Sequence, residues 1–149
     1  MYDPRGDSSK PDDDWRIAMS NDLAGLKSGL NGLGAWLEHH KIGAETENRA
    51  RLVFEEIVTN VMRYGFQDGG GHVIHAAARV GGSDLTLSFR DDGRPFDPTT
   101  ASELAPAYSL AQASIGGRGL MLVRAAASRI DYERTSEGHN HLTVTLPRR

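Results

Sequence analysis

Glu56 and Asn60 lie four residues apart in a segment, 44–64, whose apolar residues recur at helical spacing. On a helix this spacing puts both side chains on one face, so a carboxylate and a carboxamide can meet the same ligand. A carboxylate can accept a proton from an attacking hydroxyl, and an amide oxygen is a hard ligand that suits Mg²⁺ and its phosphates. The pair would therefore suit phosphoryl transfer. When such a pair is considered alone, it is more often part of a solvated polar helix face than of a functional site.

Asp91 is a second candidate, because it follows a strand with alternating apolar residues. Leu85, Leu87 and Phe89 define the apolar face of that strand. Period two places Asp91 next on the same face, aimed at the core. A buried carboxylate needs a partner, and one natural partner is the amino group of an adenine inserted between sheet and helices. The sequence D-D-G at 91–93 is also a good strand terminator, so a plain turn remains the alternative.

The sequence G-G-R-G at 116–119 precedes an apolar segment of helical character. The first-turn amides of that helix would be unpaired, and glycines let a backbone approach phosphate oxygens without obstruction, which indicates a phosphate cradle. The motif lacks the G-K-[ST] of a Walker A loop and does not follow a strand in a βαβ unit. A glycine-rich hinge before a buried helix is the alternative, and Arg118 could bind phosphate or simply be solvated.

The elements that would position these residues follow from hydrophobic periodicity and turn signals. The predicted order is a strand at 15–19, a helix from Asn21 or Asp22 to about residue 37, a helix at 44–64 ended by Gly65, a hairpin of strands 73–80 and 85–90, a helix at 116–129, and a hairpin of strands 130–133 and 141–146. The helix at 116–129 is expected to be buried on most sides, and segment 95–114 to form a mobile lid. This order predicts an α+β fold, a two-layer α/β sandwich with a mostly antiparallel sheet and helices on one face.

Bulk composition narrows the class of protein. A chain of 149 residues with 38% hydrophobic and 25% charged residues fits one globular domain. Residues 1–14 are expected to form a disordered tail and 15–149 the domain, since the first segment has too little apolar surface to fold. A net charge of -3 argues against direct nucleic-acid binding, and the absence of cysteine excludes disulfides and thiolate metal sites. No apolar run approaches the length of a membrane span, so we expect no membrane partner and a cytoplasmic location.

Three segments, taken together and in order, carry a family resemblance. They are E-E-I-V-T-N at 55–60, D-D-G-R-P-F-D-P at 91–98, and G-G-R-G-L-M-L-V at 116–123. The combination resembles the N, G1 and G2 boxes of GHKL ATPases, whose fold is the Bergerat fold, over about residues 15–147. The P-F-D-P ending, the short lid and the compact single domain look most like the anti-sigma factor serine-protein kinases of the RsbW and SpoIIAB class.

The resemblance implies ATP and Mg²⁺ as cofactors and assigns roles to individual residues. Glu56 matches the general base that activates a protein serine, and Asn60 matches the Mg²⁺ ligand. Asp91 matches the adenine contact, and Gly93 the glycine that lets the base sit close. The other residues that the resemblance assigns to nucleotide binding are Phe96, Gly116, Gly117, Arg118, Gly119 and Asn140.

The resemblance also implies partners that spacing cannot supply. These are a sigma factor held inactive and a STAS-domain anti-anti-sigma protein phosphorylated on serine, and a homodimer is among the assemblies that it allows. Two positions depart from the pattern: Tyr64 stands where many relatives have His, and Pro95 where wider GHKL members have the second glycine of the G1 box. The Tyr64 departure bears on the detail of phosphate contact.

Three other functions are alternatives to this one. A non-catalytic ATP-binding partner switch would keep the same fold and nucleotide site, but a pure binder would not need Glu56 beside the metal ligand. The catalytic domain of a histidine kinase fits the layout poorly, since the chain before the N box is short and lacks the usual surroundings of a phospho-acceptor histidine. A structural domain without nucleotide would require all three motifs to coincide in order by chance.

Overall fold

The computed structural model describes residues 14–66, 71–101 and 118–148. Several predictions concern residues outside these ranges: the tail at 1–13, the part of the lid at 102–114, and Gly116 and Gly117. Asp14, which we placed at the end of the tail, is instead the first residue of a strand. Its carboxylate accepts hydrogen bonds from the Arg79 guanidinium at 3.2 and 3.1 Å across the strand pair, which fixes this end of the strand.

The helices and strands follow the predicted order. They are β1 (Asp14–Ser20), α1 (Leu23–His39), α2 (Ala44–Asn60) with a π-helical turn at Val61–Gly65, β2 (Val73–Val80), β3 (Asp84–Asp91), the short α3 (Pro98–Ala101), α4 (Arg118–Ala126), β4 (Arg129–Arg134) and β5 (Asn140–Pro147). Asp22 caps α1, because its side chain accepts a hydrogen bond from the backbone N–H of Gly25 at 2.9 Å.

The five strands form one sheet in the order β1-β2-β3-β5-β4, and every neighbouring pair is antiparallel. Buried and less buried residues alternate along β3 and β5, so each strand gives one face to the core. That face packs on α1 and α2 around Phe54, which is fully buried. The two-layer α+β sandwich with helices on one face is confirmed.

Two expectations about helices were wrong. The helix predicted at 44–64 is α-helical only to Asn60, and the chain continues as a π-helical turn at Val61–Gly65. The apolar helix near 116–129 is not buried on most sides, because Met121 and Leu122 are 64% and 42% exposed. Only the side of α4 that carries Leu120 and Val123 is buried, since this helix packs mainly on α2. Arg118, Arg124 and Arg129 interrupt the apolar residues of this segment, so the sequence itself did not support burial on most sides.

Within the described ranges, no helix has both the length and the apolar character needed to cross a membrane.

Candidate functional site

Asp91 ends β3 with its side chain on the core face, where the strand alternation predicted it, and it is only 5% exposed. Its Oδ1 accepts hydrogen bonds from the backbone N–H of Gly93 at 2.8 Å and from Nδ2 of Asn140 at 3.0 Å. Both donors that the described residues supply to Asp91 therefore end on one oxygen. The other oxygen, Oδ2, is left to accept a hydrogen bond from a ligand.

The loop after Asp91 is anchored to the end of the π-helical turn. The backbone N–H of Arg94 donates to the Gly65 carbonyl at 2.9 Å, and its guanidinium Nε donates to the Tyr64 carbonyl at 2.7 Å. A Cβ at Gly93 would lie 2.5 Å from the Gly65 oxygen, so no other residue fits there without movement. The wider π turn thus presents two carbonyls to the loop, a use of π turns that is frequent at functional sites.

A cavity opens between α2, the π turn and the sheet beside Asp91. Its walls are mostly apolar, and polar side chains reach it from the two strand ends and from α2. The lining residues are Ile57, Asn60, Val61, Gly65, Phe89, Asp91, Phe96, Pro98, Tyr132, Asn140 and Leu142. A slot of this kind, with a carboxylate oxygen available inside it, suits a flat heteroaromatic ring that carries an amino group.

Asn60 lines this cavity from the last turn of α2 and is 4% exposed. Its Nδ2 is buried and has no hydrogen-bond partner among the described residues. A buried amide with one end unsatisfied is costly, and such a group often marks a position that a ligand completes.

Glu56 lies one helical turn before Asn60, half-buried at the end of the site where α2 meets α4. Burial raises the pKa of its carboxyl above the ordinary value of 4.5, the neighbouring Glu55 charge raises it further, and Arg63 opposes the shift. Gly119, in the first turn of α4, approaches this carboxylate so closely that an added Cβ would lie 2.0 Å from Glu56 Oε1. The structure therefore brings together Glu56 and Gly119, which lie 63 residues apart by their numbers.

Asn140 begins β5 opposite Asp91, at 7% exposure. Its amide oxygen accepts hydrogen bonds from the Tyr132 hydroxyl at 2.5 Å and from the backbone N–H of Phe96 at 3.3 Å. Its Nδ2 donates to Asp91 and to the Arg94 carbonyl at 2.9 Å. This amide links β3, β4, β5 and the loop around the cavity.

The remaining predicted residues have different outcomes. Phe96 lies at the cavity, with its ring centroid 6.3 Å from that of Tyr64. Arg118 begins α4. Gly116 and Gly117 lie outside the described residues, so their part in a phosphate cradle stays a prediction.

Three residues at the site were missed by sequence reasoning. Tyr132 bonds Asn140, Arg134 donates to the Gly93 carbonyl at 2.8 Å, and Arg94 anchors the loop. Period two on β4 could have put Tyr132 and Arg134 on the core-facing side. No sequence signal gives the strand register that brings them to this loop.

The chain is similar to known proteins in sequence and in fold. Residues 19–146 match the family model described as a histidine kinase-like ATPase domain. The chain is similar to the serine/threonine-protein kinase BtrW of Bordetella bronchiseptica, with 34% identity over 114 residues that cover 74% of this chain and 80% of that protein. Among solved structures, a chain of the SiaB-SiaC complex from Pseudomonas aeruginosa has the same fold. Its TM-score is 0.66 at 11% identity, over 89% of this chain and 88% of that one.

Proposed function

This chain belongs to the histidine kinase-like ATPase family, the GHKL ATPases, and from that premise we propose that it is an ATP-dependent serine-protein kinase acting as an anti-sigma factor. In this role it binds a sigma factor and phosphorylates a STAS-domain anti-anti-sigma protein on serine. The relative BtrW, which is named a serine/threonine-protein kinase, supports the transfer step. The SiaB-SiaC structure, a complex of two proteins with a chain of this fold, supports a protein partner. We further expect a cytoplasmic protein that can form a homodimer.

The adenine-binding part of the proposal depends on Asp91. Its Oδ2 is a hydrogen-bond acceptor inside an apolar slot, and the 6-amino group of adenine is a donor on a flat ring. The apolar walls, such as Ile57 and Leu142, cover the faces of the ring. Gly93 keeps the loop backbone close to the slot because it has no side chain.

Asn60 is the protein ligand that we assign to Mg²⁺. The fit rests on its carboxamide at the cavity wall. The amide oxygen is a hard ligand that suits Mg²⁺, and Nδ2, which has no partner among the described residues, is a donor that suits a phosphate oxygen beside the ion. No group of three His, Asp or Glu side chains in the described ranges could hold a metal. Mg²⁺ is commonly bound by one or two protein oxygens together with phosphates and water, so a single amide oxygen suffices on the protein side. When bound, the ion neutralises phosphate charge and orients the transferred group.

Glu56 acts as the base in the proposed transfer. Its carboxylate accepts the proton of a partner serine hydroxyl while the serine oxygen bonds to the γ-phosphorus of ATP. The bond from that phosphorus to the β,γ-bridging oxygen breaks, and ADP leaves. Partial burial holds the base in a poorly solvated position, so its pKa moves toward the range in which a base is effective near neutral pH.

A single observation carries this proposal: Asp91 and the unsatisfied amide of Asn60 line one apolar cavity, and Glu56 is one turn away on the same helix. An acceptor for the base, a metal ligand and a proton acceptor are thus offered by one strand end and the adjoining helix.

The proposal is tested by incubating the protein with labelled ATP, Mg²⁺ and candidate STAS-domain proteins from the same genome. We expect phosphoserine on one of them, and Glu56→Gln should abolish its formation while leaving ATP affinity within about threefold, because the substitution removes only the base. The exposed neighbour Glu55 provides the matched control, Glu55→Gln, which should transfer like the wild type. Equal transfer by the wild type and Glu56→Gln would refute the assigned base. ATP binding with no transfer to any candidate would favour the non-catalytic switch.

A further inference from the structure

We propose that Asn140 and Tyr132 are positioning residues that fix the Asp91 carboxylate as a pure acceptor and so make the site select adenine over guanine. The inference rests on the proposed function, since it concerns the same nucleotide. Asn140 and Tyr132 set the base specificity through Asp91, without touching the base.

The first observation is that the protein itself uses the whole amide of Asn140. An asparagine side chain has two N–H donors and two acceptor sites on its oxygen. Both donors are used, toward Asp91 Oδ1 at 3.0 Å and the Arg94 carbonyl at 2.9 Å. Both acceptor sites are used, by the Tyr132 hydroxyl and the Phe96 amide. The polar atoms of Asn140 therefore have no hydrogen-bonding capacity left for a base, and they act through Asp91 and the loop.

The second observation is that the partners fix which way the amide points. On one side of Asn140 are a carboxylate and a carbonyl, which only accept, and on the other side are an N–H and an O–H. Rotating the amide by half a turn would set its NH₂ against the Phe96 N–H and its oxygen against the Asp91 carboxylate. Only one orientation satisfies all four neighbours, so Nδ2 stays on Asp91.

Tyr132 supports this orientation from β4. Its hydroxyl must donate, because the atom that it meets, Asn140 Oδ1, only accepts. Burial is the main cause that raises the pKa of Tyr132, with a smaller opposing effect of a backbone hydrogen bond at Phe96, so the hydroxyl keeps its proton. The register places Tyr132 opposite Leu142, two residues from Asn140 on β5, which brings the phenol over the strand end.

The consequence for the base follows from the state of Asp91. With Oδ1 held by two N–H donors, the Asp91 carboxylate is fixed in orientation and presents Oδ2 to the base as an acceptor. Adenine offers an amino group at position 6 and guanine a carbonyl oxygen. An acceptor that meets a carbonyl gains no hydrogen bond and is repelled, so guanine is rejected.

Asn140→Asp tests the proposed role of Asn140. It would put a second carboxylate about 3 Å from Asp91, and two carboxylates at that distance share a proton. If Asp91 takes that proton and its carboxyl turns, the O–H can face the base and donate to guanine, so the preference for adenine falls. We expect ADP affinity to fall about 30-fold or more, and the ratio of GDP to ADP dissociation constants to fall at least about tenfold.

The measurement is titration calorimetry of ADP and GDP with Mg²⁺ on the full chain, together with thermal unfolding of each variant. Thr143→Val is the matched control, since it removes a hydroxyl on the opposite face of β5 and should keep both affinities within about twofold. If Asn140 had only a structural role, its substitution would weaken the binding of ADP and of GDP by the same factor. An unchanged GDP to ADP ratio would therefore overturn the inference while the proposed function stands. A wild type that binds no ADP would overturn both.

Tyr132→Phe tests the supporting role with a smaller change that removes one hydroxyl. We expect ADP affinity to fall about three- to tenfold, the worth of one hydrogen bond. If Tyr132 acts through Asn140, the same substitution made in an Asn140→Ala background should change ADP affinity by less than about twofold. If the losses of ADP affinity were additive in the double variant, this role would be overturned. A Tyr132→Phe variant with wild-type ADP affinity would overturn it as well.

Discussion

Replacing Asp91 by asparagine keeps the shape of the side chain and removes its charge. Asp91 Oδ1 accepts hydrogen bonds from Gly93 and Asn140, so an asparagine at 91 would keep its oxygen on that side. The opposite orientation would set an NH₂ group against two donors. The NH₂ must therefore face the cavity, where wild-type Oδ2 is available as an acceptor.

The magnitude follows from the lost contact. A hydrogen bond to a charged group contributes about 1.5–3 kcal/mol to the binding free energy. In the variant, the NH₂ group of the new asparagine faces the adenine amino group, and because both are donors no hydrogen bond forms. We expect ATP to bind roughly 10- to 150-fold more weakly to Asp91→Asn. Folding should change little because both internal hydrogen bonds survive, and the unfolding temperature should stay within about 4 °C of the wild type.

Titration calorimetry with ATP and Mg²⁺ measures the affinity, and a thermal melt measures the stability. The matched control is Asp92→Asn, which removes the charge of the exposed next residue and should bind ATP like the wild type. An Asp91→Asn variant with wild-type affinity would show that the base does not contact this carboxylate. Equal weakening by both variants would show that only the general negative charge matters.

Two further predictions concern Glu56 and the helix that faces it. Because burial raises the pKa of Glu56, single-turnover transfer at saturating ATP should fall as the pH is lowered, with an inflection above 4.5. An inflection at or below 4.5 would contradict this. Gly119→Ala puts a Cβ 2.0 Å from Glu56 Oε1, so the carboxylate must move and transfer should slow about 100-fold. In a Glu56→Gln background the same substitution should slow transfer no further. A wild-type transfer rate of Gly119→Ala would exclude the contact.

The amino-acid sequence was sufficient where a local period fixes the direction of a side chain. Alternation along β3 placed Asp91 on the core face, because successive residues of a strand point to opposite sides. Helical spacing placed Glu56 and Asn60 on one side of α2. The order of hairpins and helices then gave the two-layer fold, since antiparallel hairpins with one apolar face need a layer of helices to cover it.

Tertiary structure decided what those side chains meet. The bond from Asn140 to Asp91 joins residues 49 apart, and it depends on the register of β3 against β5. The burial of Asn60 depends on the sheet packed against α2, which periodicity along one helix does not contain. The π turn, the Tyr132 hydroxyl and the exposed side of α4 are likewise set by packing between elements. A local pattern encodes the face on which a residue lies, whereas the partner across that face is fixed only when strand register and helix packing bring distant segments together.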